Sequence, residues 1–277
     1  MFAQAQAQVE LRPAAGPRRR GLWLLVAAVS ALFVVGAVAV PVFGWVAEQT
    51  STSTWTSAHA VSAVRVEVGS GSVSFGPGPA GSVSMVENLT WNLSRPTVSE
   101  QWQGNTLVVR EDCPGHSPFA VDECGVNVRL TVPGSVSVQA VADSGDVTVT
   151  GLSGAVHAQA SSGDVNLTAD SGYIWARTES GSVTADGLRS QWVDAAVSSG
   201  DLYLGFADVP TTVNATAQSG DATVVVPQGS TYRVSGQSGS GDRAVEGGVQ
   251  DASSPRSLTV DTSSGDARIG YPDEYGR

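Results

Sequence analysis

The chain has 277 residues, enough for one large domain or two small ones. It carries 26 acidic residues against 15 basic ones, a formal net charge of −11, and all 15 basic residues are arginine. A surface this acidic repels nucleic acid, which is therefore excluded as a partner, and it repels other anionic polymers unless divalent cations intervene.

The first 46 residues have the pattern of a membrane anchor. Residues 1–20 are polar and end in an arginine cluster at 18–20, and residues 21–46 contain no charged side chain. About 20 apolar residues suffice to cross a bilayer, so residues 21–46 are predicted to be a transmembrane helix. The arginines predict a cytoplasmic N-terminus and a C-terminal domain outside the cell membrane. The alternative is a cleaved signal peptide, with a candidate cleavage signal at 37–39.

Two segments separate this anchor from the main repeats. Residues 47–60 are rich in serine and threonine, and we interpret them as a stalk or linker. Residues 61–135 begin with alternating valines that lead to a first repeat turn, and the remainder departs from the repeat, so a β cap is predicted over one end of the array. Cys113 and Cys124 lie in this cap and predict one disulfide that closes a loop, because a metal site would need more ligands.

A repeat organises residues 136–270. The turn Ser-Gly-Asp or Ser-Gly-Ser recurs at intervals of 18 to 20 residues and then of 21 and 24, with its glycines at Gly145, Gly163, Gly181, Gly200, Gly220, Gly241 and Gly265. Weaker turns fall midway between them, so each repeat is expected to hold two short strands. Residues 271–277 are predicted to be a polar tail.

Positions counted from each turn glycine predict which side chains face inward. The seventh residue before it is a branched aliphatic residue, and the fourth residue after it is also apolar. The fifth residue before it is mostly alanine, as in Ala140, Ala158, Ala176, Ala195 and Ala215. Polar residues alternate with these positions, which is typical of strands with one buried face.

Recurring columns of this kind favour a coil in which each repeat stacks on the previous one. The predicted fold is all-β: a two-sheet β-solenoid with rungs of about 18–20 residues, a thin interior at the alanine column and an N-terminal β cap. The alternative is an antiparallel sandwich in which every Ser-Gly-Asp turn closes a hairpin.

These features resemble a known family. The Ser-Gly-Ser-Val turn within 64–75, the Val132-Pro133-Gly134 step before the array and the serial Ser-Gly-Asp-Val turns are similar to the bacterial "putative adhesin" family. The resemblance covers about residues 61–270. It implies an extracytoplasmic module of β-strand repeats, of unknown function, that follows a membrane anchor in many members. It implies no catalytic or binding residue.

An aspartate follows most of the turn glycines. This set consists of Asp146, Asp164, Asp201, Asp221, Asp242 and Asp266. Aspartate in this place is either a turn former or, if the rungs stack, a column of calcium ligands. The three histidines have no nucleophile or acid at a recognised catalytic spacing. We therefore expect no catalysis, no cofactor and no metal; a calcium-dependent binder or a polysaccharide-acting enzyme on the same solenoid is the alternative.

Aromatic side chains predict the binding surface. The register that points the aliphatic columns inward places four ring-bearing side chains together on one outer face: His157, Tyr173, Trp175 and Trp192. Large aromatics exposed together mark an interaction site, and their flat faces suit sugar rings or a partner's apolar side chains. The predicted function is contact with cell-wall polysaccharide or an envelope protein, in adhesion or envelope sensing. The alternative is that the inserted cap, residues 77–135, folds over the aromatics and buries them.

Overall fold

A computed structural model of the protein describes residues 21, 23–34, 48–92, 94–113 and 124–272. The chain divides into two units, Met1–Ala47 and Glu48–Arg277. In the first unit, residues 23–34 are helical and their apolar side chains are exposed. Among the described residues, no helix is both long and apolar enough to cross a membrane. Three predicted segments lie wholly or largely outside the described residues: the basic segment 1–20, the second half of the predicted span, and the C-terminal tail.

The described residues of the second unit form 22 strands. In chain order they are β1 (Gln49–Ser57), β2 (Ala63–Ser70), β3 (Val73–Gly78), β4 (Val83–Trp91), β5 (Thr97–Gln103), β6 (Thr106–Asp112), β7 (Cys124–Pro133), β8 (Ser137–Ser144), β9 (Val147–Thr150), β10 (Val156–Ser162), β11 (Val165–Thr168), β12 (Ile174–Ser180), β13 (Val183–Leu188), β14 (Trp192–Ser199), β15 (Leu202–Phe206), β16 (Thr212–Ser219), β17 (Ala222–Val225), β18 (Arg233–Ser235), β19 (Ser238–Ser240), β20 (Arg243–Val245), β21 (Ser257–Ser264) and β22 (Ala267–Gly270).

These strands build two sheets. Sheet I has the spatial order β1-β4-β7-β3-β9-β11-β13-β15-β17-β22-β20. Sheet II has the order β18-β21-β16-β14-β12-β10-β8-β2-β6-β5, and β19 also pairs with β21. From β8 to β17 the chain alternates between the two sheets, so each repeat supplies one strand to each of them.

Within the array, each strand pairs in parallel with the equivalent strands of the neighbouring repeats. On sheet II, β10 pairs with β8 and β12, which places Ala158 opposite both Ala140 and Ala176. On sheet I, β11 pairs in the same way with β9 and β13. This is the coil of a solenoid, and the prediction of an all-β, two-sheet solenoid is confirmed. The hairpin sandwich is wrong for the array, because hairpins would pair consecutive strands antiparallel.

The core lies between the sheets and follows the predicted columns. The alanine column of sheet II is no more than 1% exposed at Ala140, Ala158, Ala176, Ala195 and Ala215. Val156 and Ile174 beside it, and Leu167 and Leu204 of sheet I, are also buried. The columns predicted to face inward are therefore buried in the structure.

The recurring turn depends on a close backbone contact between rungs. A Cβ built on Gly181 would lie 2.1 Å from the carbonyl oxygen of Gly163, and a Cβ on Gly200 would lie 2.1 Å from that of Gly181. No side chain fits at that distance. Glycine recurs here because the rungs stack through this point, in addition to its freedom to adopt a positive φ.

The segment predicted as a stalk, residues 47–60, differs from that expectation. Its central residues form β1, which pairs antiparallel with β4 along nine residues. Trp55 lies opposite Met85 and packs against the core, with its ring centroid 6.4 Å from that of Trp102. The serine- and threonine-rich composition suggested a linker, but burial of one tryptophan face makes this segment an edge strand of sheet I.

The order of the last rungs also differs from simple succession. β21 and β22 stack directly on β16 and β17, while the earlier β18 and β20 lie outside them. The chain therefore passes over one rung and returns to fill it. Leu258 and Val260 of β21 bury completely, whereas Gly236, at the position equivalent to Val260, has no side chain to bury. The better apolar segment takes the inner place.

Residues between β3 and β8, together with β1, extend both sheets at the other end. β6 and β5 continue sheet II beyond β2, and β7, β4 and β1 continue sheet I beyond β3. A disulfide joins Cys113, directly after β6, to Cys124, the first residue of β7, with 6.2 Å between their Cα atoms. This bond therefore links sheet II to sheet I within the segment predicted to be a cap.

Candidate functional site

The outer face of sheet II carries the aromatic residues. Because its strands are parallel and in register, equivalent side chains on successive rungs form rows that cross the strands. His157 of β10 and Trp175 of β12 are partners in one row. Both are half-buried.

Tyr173 and Trp192 are the exposed aromatic residues of this face. Tyr173 directly precedes Ile174, and Trp192 directly precedes Val193. Because Ile174 and Val193 are paired, the two aromatic residues are neighbours on adjacent rungs, whose backbones lie about 4.8 Å apart. Their side chains are 49% and 53% exposed, and within the described part of the β domain no other large apolar side chain is exposed. The described residues of the inserted segment, 77–92, 94–113 and 124–135, leave both rings exposed.

Trp175 is fixed by contacts on its own face of the sheet. The imidazole of His157 stacks on it, with 3.8 Å between ring centroids and 12° between the planes. The guanidinium carbon of Arg177 lies 4.8 Å from the Trp175 ring centroid, and Nη2 of Arg177 donates to Oδ1 of Asp194 over 2.8 Å. Burial lowers the pKa of His157, and the charges of Arg177 and Arg65 lower it further, so the imidazole is neutral at neutral pH.

A groove of about 410 Å³ lies beside Tyr173 on the same face. It crosses β5, β6, β2, β8 and β10, and its polar lining includes Arg65, Gln139 and His157. Its volume falls in the range typical of small-molecule sites. No aspartate or glutamate contributes to the lining, although the chain as a whole is strongly acidic.

The aspartates after the turn glycines join consecutive rungs. Oδ1 of Asp146 accepts the backbone N–H of Asp164 over 2.9 Å, and Oδ1 of Asp164 accepts that of Ser182 over 2.8 Å. The Ser182 hydroxyl accepts the N–H of Asp201 over 3.3 Å, so serine continues the ladder where aspartate is missing. Each carboxylate thus accepts a backbone N–H of the next turn. This is the role of a turn former, one of the two roles considered for these aspartates, and here it acts on the neighbouring rung.

One further cluster combines possible metal ligands. Among the described residues, one group of three possible ligands has its ligand atoms within 4.8 Å of one another: Glu111, Cys113 and Cys124. Both cysteines are in the disulfide, so the thiolates that would bind a metal are absent. Glu111 instead accepts the backbone N–H groups of Gly69 and Ser70.

The structure brings all four predicted aromatic-face residues together on sheet II. The positions differ in exposure: Tyr173 and Trp192 are open, whereas Trp175 and His157 stack on each other. The sequence analysis did not predict the groove, although the sequence contains a signal for it. The residue eight positions before the turn glycine is aromatic at Tyr173 and Trp192, and it is alanine or serine at Ala63, Ser137 and Ala155, which form the floor of the groove.

Parallel rungs in two sheets, a stacked glycine turn and an aromatic outer face define a β-solenoid repeat domain. Residues 134–270 match the sequence profile of the family described as Toastrack DUF4097, and this part of the chain belongs to that family. The match confirms the resemblance to the "putative adhesin" family. No curated protein matches the chain.

Several solved structures are similar to the chain. A putative adhesin from Bacteroides fragilis is 12% identical and covers 80% of this chain and 97% of its own, with a TM-score of 0.45. A putative adhesin from Parabacteroides distasonis is 11% identical and covers 79% and 97%, with a TM-score of 0.44. A putative cell adhesion protein from Clostridium sporogenes is 12% identical and covers 80% and 100%, with a TM-score of 0.33.

Proposed function

We propose that this protein is a single-pass membrane protein whose β-solenoid lies outside the cytoplasm and binds cell-envelope polysaccharide without modifying it, in adhesion or envelope sensing. The observation that carries the proposal is the exposed pair Tyr173 and Trp192 on adjacent rungs of sheet II. Every other large apolar side chain in the described β domain is at least partly buried. Two large rings left in water on such a surface favour a partner that covers them, and flat rings suit sugars.

The location outside the cytoplasm rests on three observations. Residues 21–46 carry no charge and follow the arginine cluster at 18–20, and residues 23–34 are helical with exposed apolar side chains that lipid would cover. The bond between Cys113 and Cys124 belongs to an oxidising compartment, because the cytoplasm keeps thiols reduced.

Binding without catalysis is supported by the chemistry of the face. Most glycoside hydrolases use a pair of carboxyl groups that flank the scissile bond. The groove lining contains no carboxylate, and Asp194, beside the aromatics, is paired with Arg177. The hydroxyl, amide and aromatic groups that remain can hold a sugar but offer no acid–base pair.

The proposal is tested by co-sedimentation of the full chain, in mild detergent, with purified bacterial cell-wall polysaccharide. The variant with Tyr173→Ala and Trp192→Ala should lose binding and keep its melting temperature, because both side chains are about half exposed. The matched control is Thr148→Ala with Thr184→Ala on the outer face of sheet I, which should bind like the native protein. Native-like binding by the aromatic double variant would contradict the proposal.

A further inference from the structure

The groove arises from the side-chain sizes along one row of sheet II. The row crosses the strands from Trp192 through Tyr173, Ala155, Ser137 and Ala63 to Thr106. Its first two members are large rings and its next three members are small. The small side chains form the floor of the groove, and its two ends are formed by Tyr173 and by the β5–β6 hairpin.

The groove is elongated across the strands. From Tyr173 to Thr106 the row takes four strand-to-strand steps, which at about 4.8 Å each amount to roughly 20 Å. The exposed ring of Trp192 adds one further step on the same line. A surface of this form suits an extended chain laid across the strands better than a compact molecule, because contacts continue along its whole length.

The lining carries one ionised side chain, that of Arg65. Nε of Arg65 donates to Oε1 of Glu67 over 2.6 Å, and the other oxygen of this carboxylate accepts Nε of Arg110 over 2.8 Å. The next row forms one side of the groove, with Gln139 and the neutral imidazole of His157. Outside the groove the field is negative: without residues 1–20, the chain has 11 arginines against 25 acids. Such a field repels an anionic ligand and leaves an uncharged one unaffected.

We infer that the groove and the adjoining rings bind an uncharged linear polysaccharide that runs across the strands of sheet II. Sugar rings lie on Trp192 and Tyr173, the chain continues over Ala155 and Ser137, and its hydroxyl or acetamido groups exchange hydrogen bonds with Gln139. This inference rests on the proposed function and adds the charge class of the ligand, its path and its length.

The test measures binding of the full chain in detergent to a panel of hexasaccharides: cellohexaose and chitohexaose as uncharged probes and hexagalacturonate as an anionic one. We expect an uncharged member to bind most tightly. Ala155→Leu should weaken that binding by about tenfold or more, the effect of losing a well-made contact, because the added side chain fills the floor of the groove. Ala155 is exposed, so the melting temperature should not change.

The matched control is Ala244→Leu, the same substitution at an exposed position of β20 on sheet I, which should bind normally. Tightest binding of the galacturonate, or native affinity in Ala155→Leu, would overturn the inference while leaving the proposed function standing. Native-like binding of cell-wall polysaccharide after loss of both Tyr173 and Trp192 would instead refute the proposed function. Failure of every hexasaccharide to bind would overturn the inference as well.

Discussion

Replacement of Gly220 by alanine tests whether the rungs stack through their turn glycines. A Cβ at this position would lie 2.1 Å from the carbonyl oxygen of Gly200, whereas real Cβ contacts essentially never fall below 3.0 Å. The two turns must therefore separate by about 1 Å. The backbone of Gly220 also has a φ of +132°, which disfavours any residue with a Cβ.

The separation acts on three hydrogen bonds that join the two turns. Gly200 N–H donates to Ser219 O over 2.9 Å, Leu202 N–H donates to Asp221 O over 2.8 Å, and Asp221 N–H donates to Asp201 Oδ1 over 3.0 Å. At about 1 kcal/mol each they amount to about 3 kcal/mol. Positive φ adds about 1–2 kcal/mol. The expected loss of about 4–5 kcal/mol is a large fraction of the stability of a typical domain.

Gly187→Ala is the matched control. Gly187 also has a positive φ, +63°, but a Cβ there would meet nothing within 4 Å. This variant should lose only the backbone contribution, about 1–2 kcal/mol. Urea unfolding of the full chain, followed by circular dichroism, measures both variants. Equal losses in the two would refute the close contact between rungs and leave only the turn conformation as the reason for glycine.

Two further predictions concern a buried carboxyl group and the orientation in the membrane. Asp170 is fully buried, with Oδ1 accepting the N–H of Leu152 and Oδ2 without a hydrogen-bond partner, and burial raises its pKa from 3.8 to about 6. Because the folded pKa lies above the unfolded one, the native state loses stability as the pH rises from about 4 to about 6, by about 3 kcal/mol in total. Asp170→Asn keeps the Oδ1 acceptor and should raise the free energy of unfolding at pH 8 by about 1–2 kcal/mol, since its buried amide N–H groups offset part of the gain; a native pH profile in urea unfolding would contradict this. For orientation, protease added to intact cells should degrade the chain beyond residue 47 and spare residues 1–20, and protection of the β domain would reverse the proposed topology.

Much of the candidate site could be predicted from local pattern. Period-2 alternation assigns each strand residue to the inner or outer face, and the turn glycines fix the register between repeats. These two features of the sequence are enough to place Tyr173 and Trp192 side by side on the outer face. They also place His157 next to Trp175, because equal offsets from the turn glycine define one row.

The contacts within the site could not be predicted in the same way. The pairing of Arg177 with Asp194 and the stack of His157 on Trp175 depend on rotamers, which the register alone does not specify. The groove depends on β5 and β6 continuing the rows of the array, and those strands lie in the segment where the repeat pattern fails.

The sequence by itself determined the inner columns and the turn glycines, because each follows from a pattern of side-chain size and polarity that repeats along the chain. It favoured the two-sheet coil, and the parallel pairing of the strands then excluded the hairpin sandwich. Only the tertiary structure decided which segments occupy the ends. β21 displaced β18 from the inner rung, and β1 joined sheet I rather than remaining a linker. In both cases, segments far apart in the chain compete for one place in a sheet, and the segment that buries more apolar surface occupies it. A local sequence pattern contains no information about the distant segment with which it competes.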